Sequence, residues 1–215
     1  MPKILLINPN ASEATTAMMA DIAQRAAPAQ WQILPRTAGK GPSMIVNAAE
    51  LAQAALEVED CWRDAPSDCA GTIISAFGDP GLERLRALSR MPVVGIAEAS
   101  MLEAASGCRR FGVATVTPDL VEPIAGRVAA VGLTHLYTGI RLTEGDPRAL
   151  SGDAPALEAA LAQAVQRCVD EDGAQAVIIG GGPLGQAAIA LAERLHLPVI
   201  APIPAAVRRL AQLMG

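Results

Sequence analysis

One motif occurs twice in the chain, and it constrains the fold more than any other feature of the sequence. The copies span residues 71–95 and 174–201. Each copy is a short apolar strand, a turn rich in glycine and proline, an amphipathic helix and a second apolar strand that contains Pro-Val. Two such turns that face each other would form a cleft with two walls. The repeat therefore predicts one site between two related halves.

The apolar segments are short and continuous rather than alternating, as in KILLIN, FGVATVT and AVIIGG. Such runs are typical of parallel strands that are buried on both faces. Segments rich in Ala, Leu, Gln and Glu separate them and predict helices over residues 14–27, 46–63, 82–88, 97–106, 120–130, 156–169, 184–195 and 204–214. This order predicts an α/β fold of two pseudo-symmetric halves, each with a mainly parallel sheet flanked by helices.

The repeat divides the chain into an N-terminal half, residues 1–107, and a C-terminal half, residues 108–215. The last helix of each half can pack on its own half or cross over to the other. Two segments lack a clear pattern. Residues 32–47 are interpreted as an irregular loop near the mouth of the cleft, and residues 145–154 as a polar loop that is neither strand nor helix.

Composition excludes several classes of function. A net charge of −5 without a cluster of Lys and Arg argues against nucleic-acid binding. The apolar run near the N-terminus is too short for a signal peptide or a membrane span, so we expect a cytoplasmic protein without membrane contact. The cysteines lie far apart, without a CxxC motif or a neighbouring His, which argues against zinc and disulfides. They are Cys61, Cys69, Cys108 and Cys168. We expect neither a metal nor a cofactor.

Ligands of open parallel sheets bind beyond the carboxyl ends of the strands. Turns that qualify here are residues 8–10, 75–81, 115–118 and 180–185. Their glycines leave N–H groups at helix N-termini, where an anionic or carbonyl oxygen is favoured. The turn GGGPLG lacks the GK[ST] ending of a phosphate loop, and GxGxxG is also absent, so a nucleotide site is not expected.

Asp79 and Glu98 are the acids at these strand ends and are candidates for proton transfer. Asp79 also occupies a helix N-cap position, and capping is the favoured interpretation for it. Glu98 either faces the cleft or caps the next helix. Asn8 and Asn10 have two interpretations of equal weight, ligand binding and turn formation. Ser75 has no His at a neighbouring turn, which argues against a Ser-His-Asp triad.

Several motifs together resemble the aspartate/glutamate/hydantoin racemase superfamily, and most closely its hydantoin and allantoin racemase branch. They are INPN near the N-terminus, FGDPGL followed by PVVGIAEAS, RFGVAT, and the late glycine-rich turn before PVI. The resemblance covers nearly the whole chain. It implies two α/β halves with the site between them, a cofactor-independent isomerase that acts on a small anion or ureide, and a homo-oligomer.

Members of that superfamily place one cysteine in each half, and the two thiols move the α-proton on opposite faces of the substrate. Those positions match Ala76 and Gly181 here, so the resemblance implies that both thiols are absent. It also implies a set of substrate-binding positions. These are Pro9, Asn10, Ser43, Ser75, Phe77, Gly78, Thr115, Val116, Gly181, Gly182, Pro183 and Leu184.

Two functions are compatible with this sequence. The first is a racemase-superfamily isomerase, or a lyase, that acts on a small amino-acid derivative, cyclic ureide or carboxylate by cysteine-independent proton transfer. Backbone N–H groups at Gly181 and Gly182 would stabilise an enolate oxygen in such a reaction. The alternative is a non-catalytic protein that binds a small molecule in the same cleft.

Overall fold

A computed structural model of the chain describes the backbone of residues 1–215 and every side chain except those of Arg148 and Ser151. The strands of the described chain are β1 (Lys3–Asn8), β2 (Gln32–Thr37), β3 (Cys69–Ile74), β4 (Val93–Gly95), β5 (Phe111–Thr115), β6 (Tyr137–Leu142), β7 (Ala176–Ile179) and β8 (Val199–Ile200). The helices are α1 (Glu13–Ala26), α2 (Ala48–Arg63), α3 (Leu82–Leu88), α4 (Ile96–Ala104), α5 (Val121–Ala130), α6 (Pro147–Ser151), α7 (Ala154–Asp170), α8 (Gly185–Arg194) and α9 (Pro202–Met214).

The strands form two four-stranded sheets in which all described pairs are parallel. One sheet has the order β2-β1-β3-β4 and the other β6-β5-β7-β8, so each sheet places its first strand between its second and third. Helices flank both sheets. The predicted α/β fold with parallel sheets is therefore confirmed.

Both faces of the central strands are buried, which explains why their sequences are continuously apolar. In β1, Ile4 and Leu6 face a core that is shared by the two sheets, whereas Leu5 and Ile7 face α2 and α3. β7 shows the same division, with Ile178 in the shared core. Its neighbours Val177 and Ile179 pack instead against α7 and α8.

The shared core is completed by helices that cross between the halves. The C-terminal helix α9 packs against β3, β4 and α1 of the N-terminal half, and α4 of that half contacts β7 and β8. The last helix of each half therefore crosses over, which selects one of the two arrangements that the sequence left open. This exchange buries both sheets against common helices. The predicted boundary between the two halves at residue 107 stays a prediction.

Polar side chains begin several helices. Ser12 accepts a hydrogen bond from the amide of Thr15 at the start of α1, and Asn47 accepts one from Glu50 at the start of α2. These caps satisfy N–H groups that have no partner within a helix. Among the described helices, none is both long enough and apolar enough to cross a membrane.

Three segments differ from the sequence interpretation. Within residues 32–47, Gln32–Thr37 forms the strand β2. The strand lies at the edge of its sheet, where Pro35 is tolerated although it lacks an N–H group. Tyr137–Leu142, for which no strand was predicted, forms the edge strand β6 of the other sheet. The pairing register of β6 shifts just before Gly139, whose φ is 119°. Within residues 145–154, Pro147–Ser151 forms the short helix α6.

Leu210 tests how strongly α9 holds the N-terminal sheet. Its side chain is fully buried in the shared core and packs against the backbone of β3 at Gly71. We expect Leu210→Ala to lower the free energy of unfolding by about 2–5 kcal/mol, because it removes a buried side chain and leaves a cavity. Leu213→Ala on the same helix is the matched control, since Leu213 is exposed. Urea unfolding compares them, and equal losses would contradict this packing role.

Candidate active site

A cavity lies where the turns after β3 and β7 meet, at the carboxyl ends of both sheets. Many of the positions predicted to bind substrate line it. They are Asn10, Ser75, Phe77, Val116, Gly181, Gly182, Pro183 and Leu184. Residues from both halves therefore share one cavity, as the repeated motif suggests.

The late turn requires glycine at two positions, at Gly182 because the other turn lies so close and at Gly180 because of the neighbouring strand β5. A Cβ atom on Gly182 would lie 2.5 Å from the carbonyl oxygen of Ser75. One on Gly180 would lie 2.7 Å from the Val113 side chain and 3.2 Å from the Phe77 ring. The backbone of the late turn at Gly182 therefore packs directly on the Ser75 backbone of the N-terminal half. This contact sets the spacing of the two cavity walls.

Ala76 and Gly181 both line the cavity, one from each half. Gly181 differs from its glycine neighbours, because its φ of 167° is an extended conformation that any residue adopts. A Cβ atom there would meet the side chain of Leu184 at 3.0 Å, and that side chain can move. A larger residue can thus be accommodated at position 181 but not at position 182.

Asn10 supplies the cavity with a donor whose orientation is fixed. The side-chain oxygen of Asn10 accepts from the amide of Ser12 at 2.9 Å and from Nδ2 of Asn8 at 2.9 Å. Its own Nδ2 has no hydrogen-bond partner among the described residues, and Asn10 lines the cavity while being almost fully buried. The amide nitrogen is therefore available to a ligand oxygen.

Hydroxyl groups near the cavity are already committed as donors. Ser75 donates to the carbonyl of Ile7 at 2.7 Å, and Thr115 donates to the carbonyl of Gly180 at 2.6 Å. Because Thr115 has only one hydrogen, Thr117 is the donor in the longer contact of 3.4 Å between the two threonines. The lone pairs of Ser75 and Thr117, which both line the cavity, are thus left as acceptors for a ligand.

Gly182 adds a backbone donor. It begins a short 3₁₀-helix, Gly182–Leu184, and the first N–H groups of a helix have no partner within it. No described backbone oxygen accepts from this amide. The site therefore offers donors at Asn10 and Gly182 and acceptors at Ser75 and Thr117.

No charged side chain is found among the described residues that line the cavity. The cysteines lie elsewhere. Cys61 and Cys168 are buried and donate to the backbone carbonyls of Thr37 and Val113, whereas Cys69 is half-buried and Cys108 is exposed. Burial raises the pKa of the Cys168 thiol to about 11, so this group stays protonated at neutral pH.

Asp79, a predicted acid, lies outside the cavity lining. Its oxygens accept from the amides of Ala97 at 2.8 Å and Glu98 at 2.7 Å, so it caps α4 rather than the helix that follows it in sequence. Arg127 of the C-terminal half lies 3.4 Å away. Complete burial raises the pKa of Asp79 to about 7, although Arg127 and the two amides favour the charged form. The carboxylate therefore joins α4 to the other half.

Glu98, the second predicted acid, forms a bidentate pair with Arg86 at 2.7 and 3.0 Å. Burial alone would raise the pKa of Glu98, but the hydrogen bonds and charge of Arg86 lower it overall. Like Asp79, Glu98 is absent from the described cavity lining. Proton transfer by either acid stays a prediction, and this geometry supplies no contact with the cavity that supports it.

Four other predicted positions do not line the cavity. Pro9 is buried, and Ser43 is exposed beside the cavity residue Met44. Thr115 lies behind the lining, where it holds the carbonyl of Gly180. Gly78 lines a separate depression together with Asp79 and Arg127. The predicted substrate contacts of these four residues stay predictions.

The structure adds cavity residues that the binding set did not include. Besides Ala76 and Gly180 they are Met44, Ile45, Leu51, Thr117, Leu120 and Ile124. Most are apolar, and in sequence they have the spacing of core residues on helices or follow a Pro in a loop. Ala76, Thr117 and Gly180 lie in the turns that the sequence analysis identified as ligand sites, whereas the other added residues carry no such signal.

The chain has two α/β halves with parallel sheets, and a helix of each half packs on the other half. A cavity lies between their glycine-rich turns. This is a racemase-like architecture with a small-molecule site between the halves. The family model for Asp/Glu/Hydantoin racemase matches residues 4–210. The chain therefore belongs to the Asp/Glu/hydantoin racemase family.

Relatives with named activities agree with this family membership. The chain is 33% identical over 210 residues to a hydantoin racemase of Paenarthrobacter aurescens, covering 96% of this chain and 88% of the relative. Allantoin racemases of Klebsiella pneumoniae and Pseudomonas fluorescens superpose with TM-scores of 0.92 and 0.93 at 29% and 25% identity. These alignments cover 99% and 98% of this chain, and 87% and 90% of the racemases. The relatives point to an isomerase of the racemase type.

The contact between the turns can be tested at adjacent glycines. We expect Gly182→Ala to lower the free energy of unfolding by roughly 1–3 kcal/mol, since the added carbon collides with the Ser75 carbonyl. Gly181→Ala is the matched control and should change stability by less than about 1 kcal/mol, because only the Leu184 side chain must move. Chemical denaturation measures both, and a tolerated Gly182→Ala would contradict the close approach.

The raised pKa of Asp79 predicts a pH effect on stability. The native state keeps a proton that the unfolded chain releases above its ordinary pKa of 3.8. The contribution of Asp79 to the free energy of unfolding therefore falls as pH rises from about 4 to about 7, and is constant above. Relative to Asp79→Asn, the wild type should lose stability between about pH 5 and pH 8.

Urea unfolding of both proteins at the two pH values measures this difference. Asp119→Asn is the control, because Asp119 is exposed and its removal should leave the pH dependence as in the wild type. A stability difference between the wild type and Asp79→Asn that is the same at about pH 5 and about pH 8 would show instead that the buried carboxylate is charged throughout this range.

Proposed function

We propose that this protein is an isomerase that inverts the carbon next to a carbonyl in a small cyclic ureide of the hydantoin type, without using a thiol. The family and the names of the relatives, hydantoin racemase and allantoin racemase, support the reaction type and the substrate class. The observation that carries the proposal is the neutral cavity between the halves, which presents both donors and acceptors.

A hydantoin ring alternates N–H and C=O groups and carries no full charge. Its carbonyl oxygens match the donors Asn10 Nδ2 and the amide of Gly182, and its N–H groups match the lone pairs of Ser75 and Thr117. A carboxylate substrate would instead need a cation, because burying an unpaired charge is costly. The lining therefore favours a neutral ureide over an amino acid or a dicarboxylate.

We propose that the cavity holds the substituent on the reacting carbon among its apolar side chains. Met44, Ile45 and Leu51 line it from the N-terminal half, and Leu120 and Ile124 from the C-terminal half. These side chains supply no partner for a polar group. We therefore propose an alkyl substituent rather than the polar ureido group of allantoin.

Proton removal from the ring carbon leaves an enolate, whose oxygen accepts hydrogen bonds from Asn10 and Gly182. With Ala76 and Gly181 at the positions that match the family thiols, water accepts the proton and water on the opposite face returns one. The net change is inversion at that carbon. Loss of a positioned acid/base group typically lowers the rate by about 10²–10⁴-fold, so we expect slow turnover.

A second candidate is a non-catalytic protein that binds a ureide. The observation in its favour is that the described lining contains no group that titrates near neutral pH. The two candidates share the site and the ligand. They differ only in whether the bound ring exchanges its proton. Association into homo-oligomers and a cytoplasmic location also stay proposals.

Proton exchange tests the enzyme directly. We expect L-5-isopropylhydantoin in D₂O to lose its C5 proton signal faster with the protein than without it, and to racemise by chiral chromatography. Iodoacetamide should leave the rate unchanged, since the described lining contains no cysteine. Thermal stabilisation by the hydantoin without exchange would favour the binding protein, and inactivation by iodoacetamide would contradict the thiol-free reaction.

The double variant Ala76→Cys/Gly181→Cys provides the matched comparison. It places one thiol in each wall at positions where a side chain can be accommodated. We expect exchange to accelerate by roughly 10²-fold or more, because a positioned thiol replaces water as the acid/base group. Its activity should become sensitive to iodoacetamide, whereas Cys69→Ser should change neither property.

A further inference from the structure

The turn after β1 contains a buried hydrogen-bond network that ends at the cavity. Asn8 is fully buried, and its Nδ2 donates to Oδ1 of Asn10 at 2.9 Å and to the hydroxyl of Thr16 at 2.9 Å. A longer contact of 3.2 Å joins the same nitrogen to the carbonyl of Ser12. Its two hydrogens thus serve three acceptors.

Backbone amides determine the orientation of both asparagine side chains. The amide of Asn10 donates to Oδ1 of Asn8 at 3.2 Å, so the other end of the Asn8 side chain must be its nitrogen. The amide of Ser12 donates to Oδ1 of Asn10 at 2.9 Å, so the nitrogen of Asn10 must point away from Ser12. Neither side chain can rotate by 180° without placing two donors face to face.

We infer that Asn8 is a positioning residue that turns the amide nitrogen of Asn10 toward the carbonyl oxygen of the bound substrate. Asn8 itself does not line the cavity, whereas Asn10 does. The oxygen of that amide group accepts two hydrogen bonds, and Nδ2 of Asn10 donates none in the described structure. This inference rests on the proposed function.

A rigid donor binds an oxygen better than a mobile one, because no side-chain entropy is lost on binding. Without Asn8, the side-chain amide of Asn10 keeps a single hydrogen bond, which its oxygen accepts from the backbone N–H of Ser12. The backbone N–H of Asn10 loses its acceptor, the Asn8 oxygen. The Asn10 side chain would then populate other rotamers. Asn8 therefore contributes to ligand affinity only through Asn10.

A double-mutant cycle measures that dependence. The probe is 5-isopropylhydantoin, and its Kd is obtained by calorimetry for the wild type, Asn8→Ala, Asn10→Ala and the double variant. We expect Asn10→Ala to weaken binding about tenfold, as for one lost hydrogen bond, and Asn8→Ala about fivefold. The double variant should match Asn10→Ala alone, since Asn8 has nothing left to position.

Thr16→Val is the matched control, because it removes a hydrogen bond of Asn8 without contacting Asn10. It should lower the melting temperature while leaving the Kd within about twofold of the wild type. Asn8→Ser, which keeps a small polar side chain, provides the comparison if Asn8→Ala fails to fold. The Kd thus separates positioning from structural support.

Several results would overturn the inference. The double variant could instead weaken binding by the product of the two single-variant factors. This increase in Kd would show that Asn8 acts independently of Asn10. A loss of affinity in Thr16→Val equal to that in Asn8→Ala would assign the effect to the whole network. Absence of hydantoin binding by the wild type would instead contradict the proposed function. The Asn10 Nδ2 cross-peak in ¹H–¹⁵N spectra then decides the inference, which fails if Asn8→Ala leaves that cross-peak unchanged.

Discussion

Gly182 brings its backbone so near Ser75 that a Cβ atom there would lie 2.5 Å from the Ser75 carbonyl, and this contact joins the two halves at the site. The carbonyls of Ile7 and Gly180 accept from Ser75 and Thr115, which fixes the turns on both sides. The hydroxyls cannot then serve as donors in the cavity. The same two turns thus supply both the steric contact between the halves and the hydrogen bonds that use up the donors of these hydroxyls.

The same contact depends on helices that cross between the halves. Because α9 packs on the N-terminal sheet and α4 contacts the C-terminal sheet, the two sheets share one apolar core. Arg127 adds a polar link, since it pairs with Asp79 and Glu83 of the other half. Asp79 in turn holds the start of α4 through two amides. The turn that bears Ala76 and Phe77 is thus anchored at one end by the β3 strand and at the other by this capped helix.

The sequence allowed the central strands and most helices to be predicted, because a strand buried on both faces is continuously apolar. Two of the four edge strands, β2 and β6, were missed, whereas the edge strands β4 and β8 were predicted from their apolar Pro-Val runs. Pro35 in β2 and Gly139 in β6 resemble turn signals, and polar residues interrupt the apolar run in both strands. The place of polar residues after a strand identified the turns of the site, and the family resemblance implied Asn10 and Ser75 among the binding positions. Leu51, Leu120 and Ile124 were not predicted, because apolar residues on helices have the same pattern whether they face a core or a cavity.

Asp79 illustrates a second limit of sequence analysis. An acid after a buried strand is compatible with catalysis and with capping, and only the fold reveals that it caps α4 across a gap of many residues. Gly95 makes this possible, since a Cβ atom there would lie 2.1 Å from the Asp79 carboxyl carbon. The acid next to the cavity is consequently committed to structure, and the lining keeps only neutral donors and acceptors. A neutral lining of this kind avoids the desolvation cost of a buried, unpaired charge.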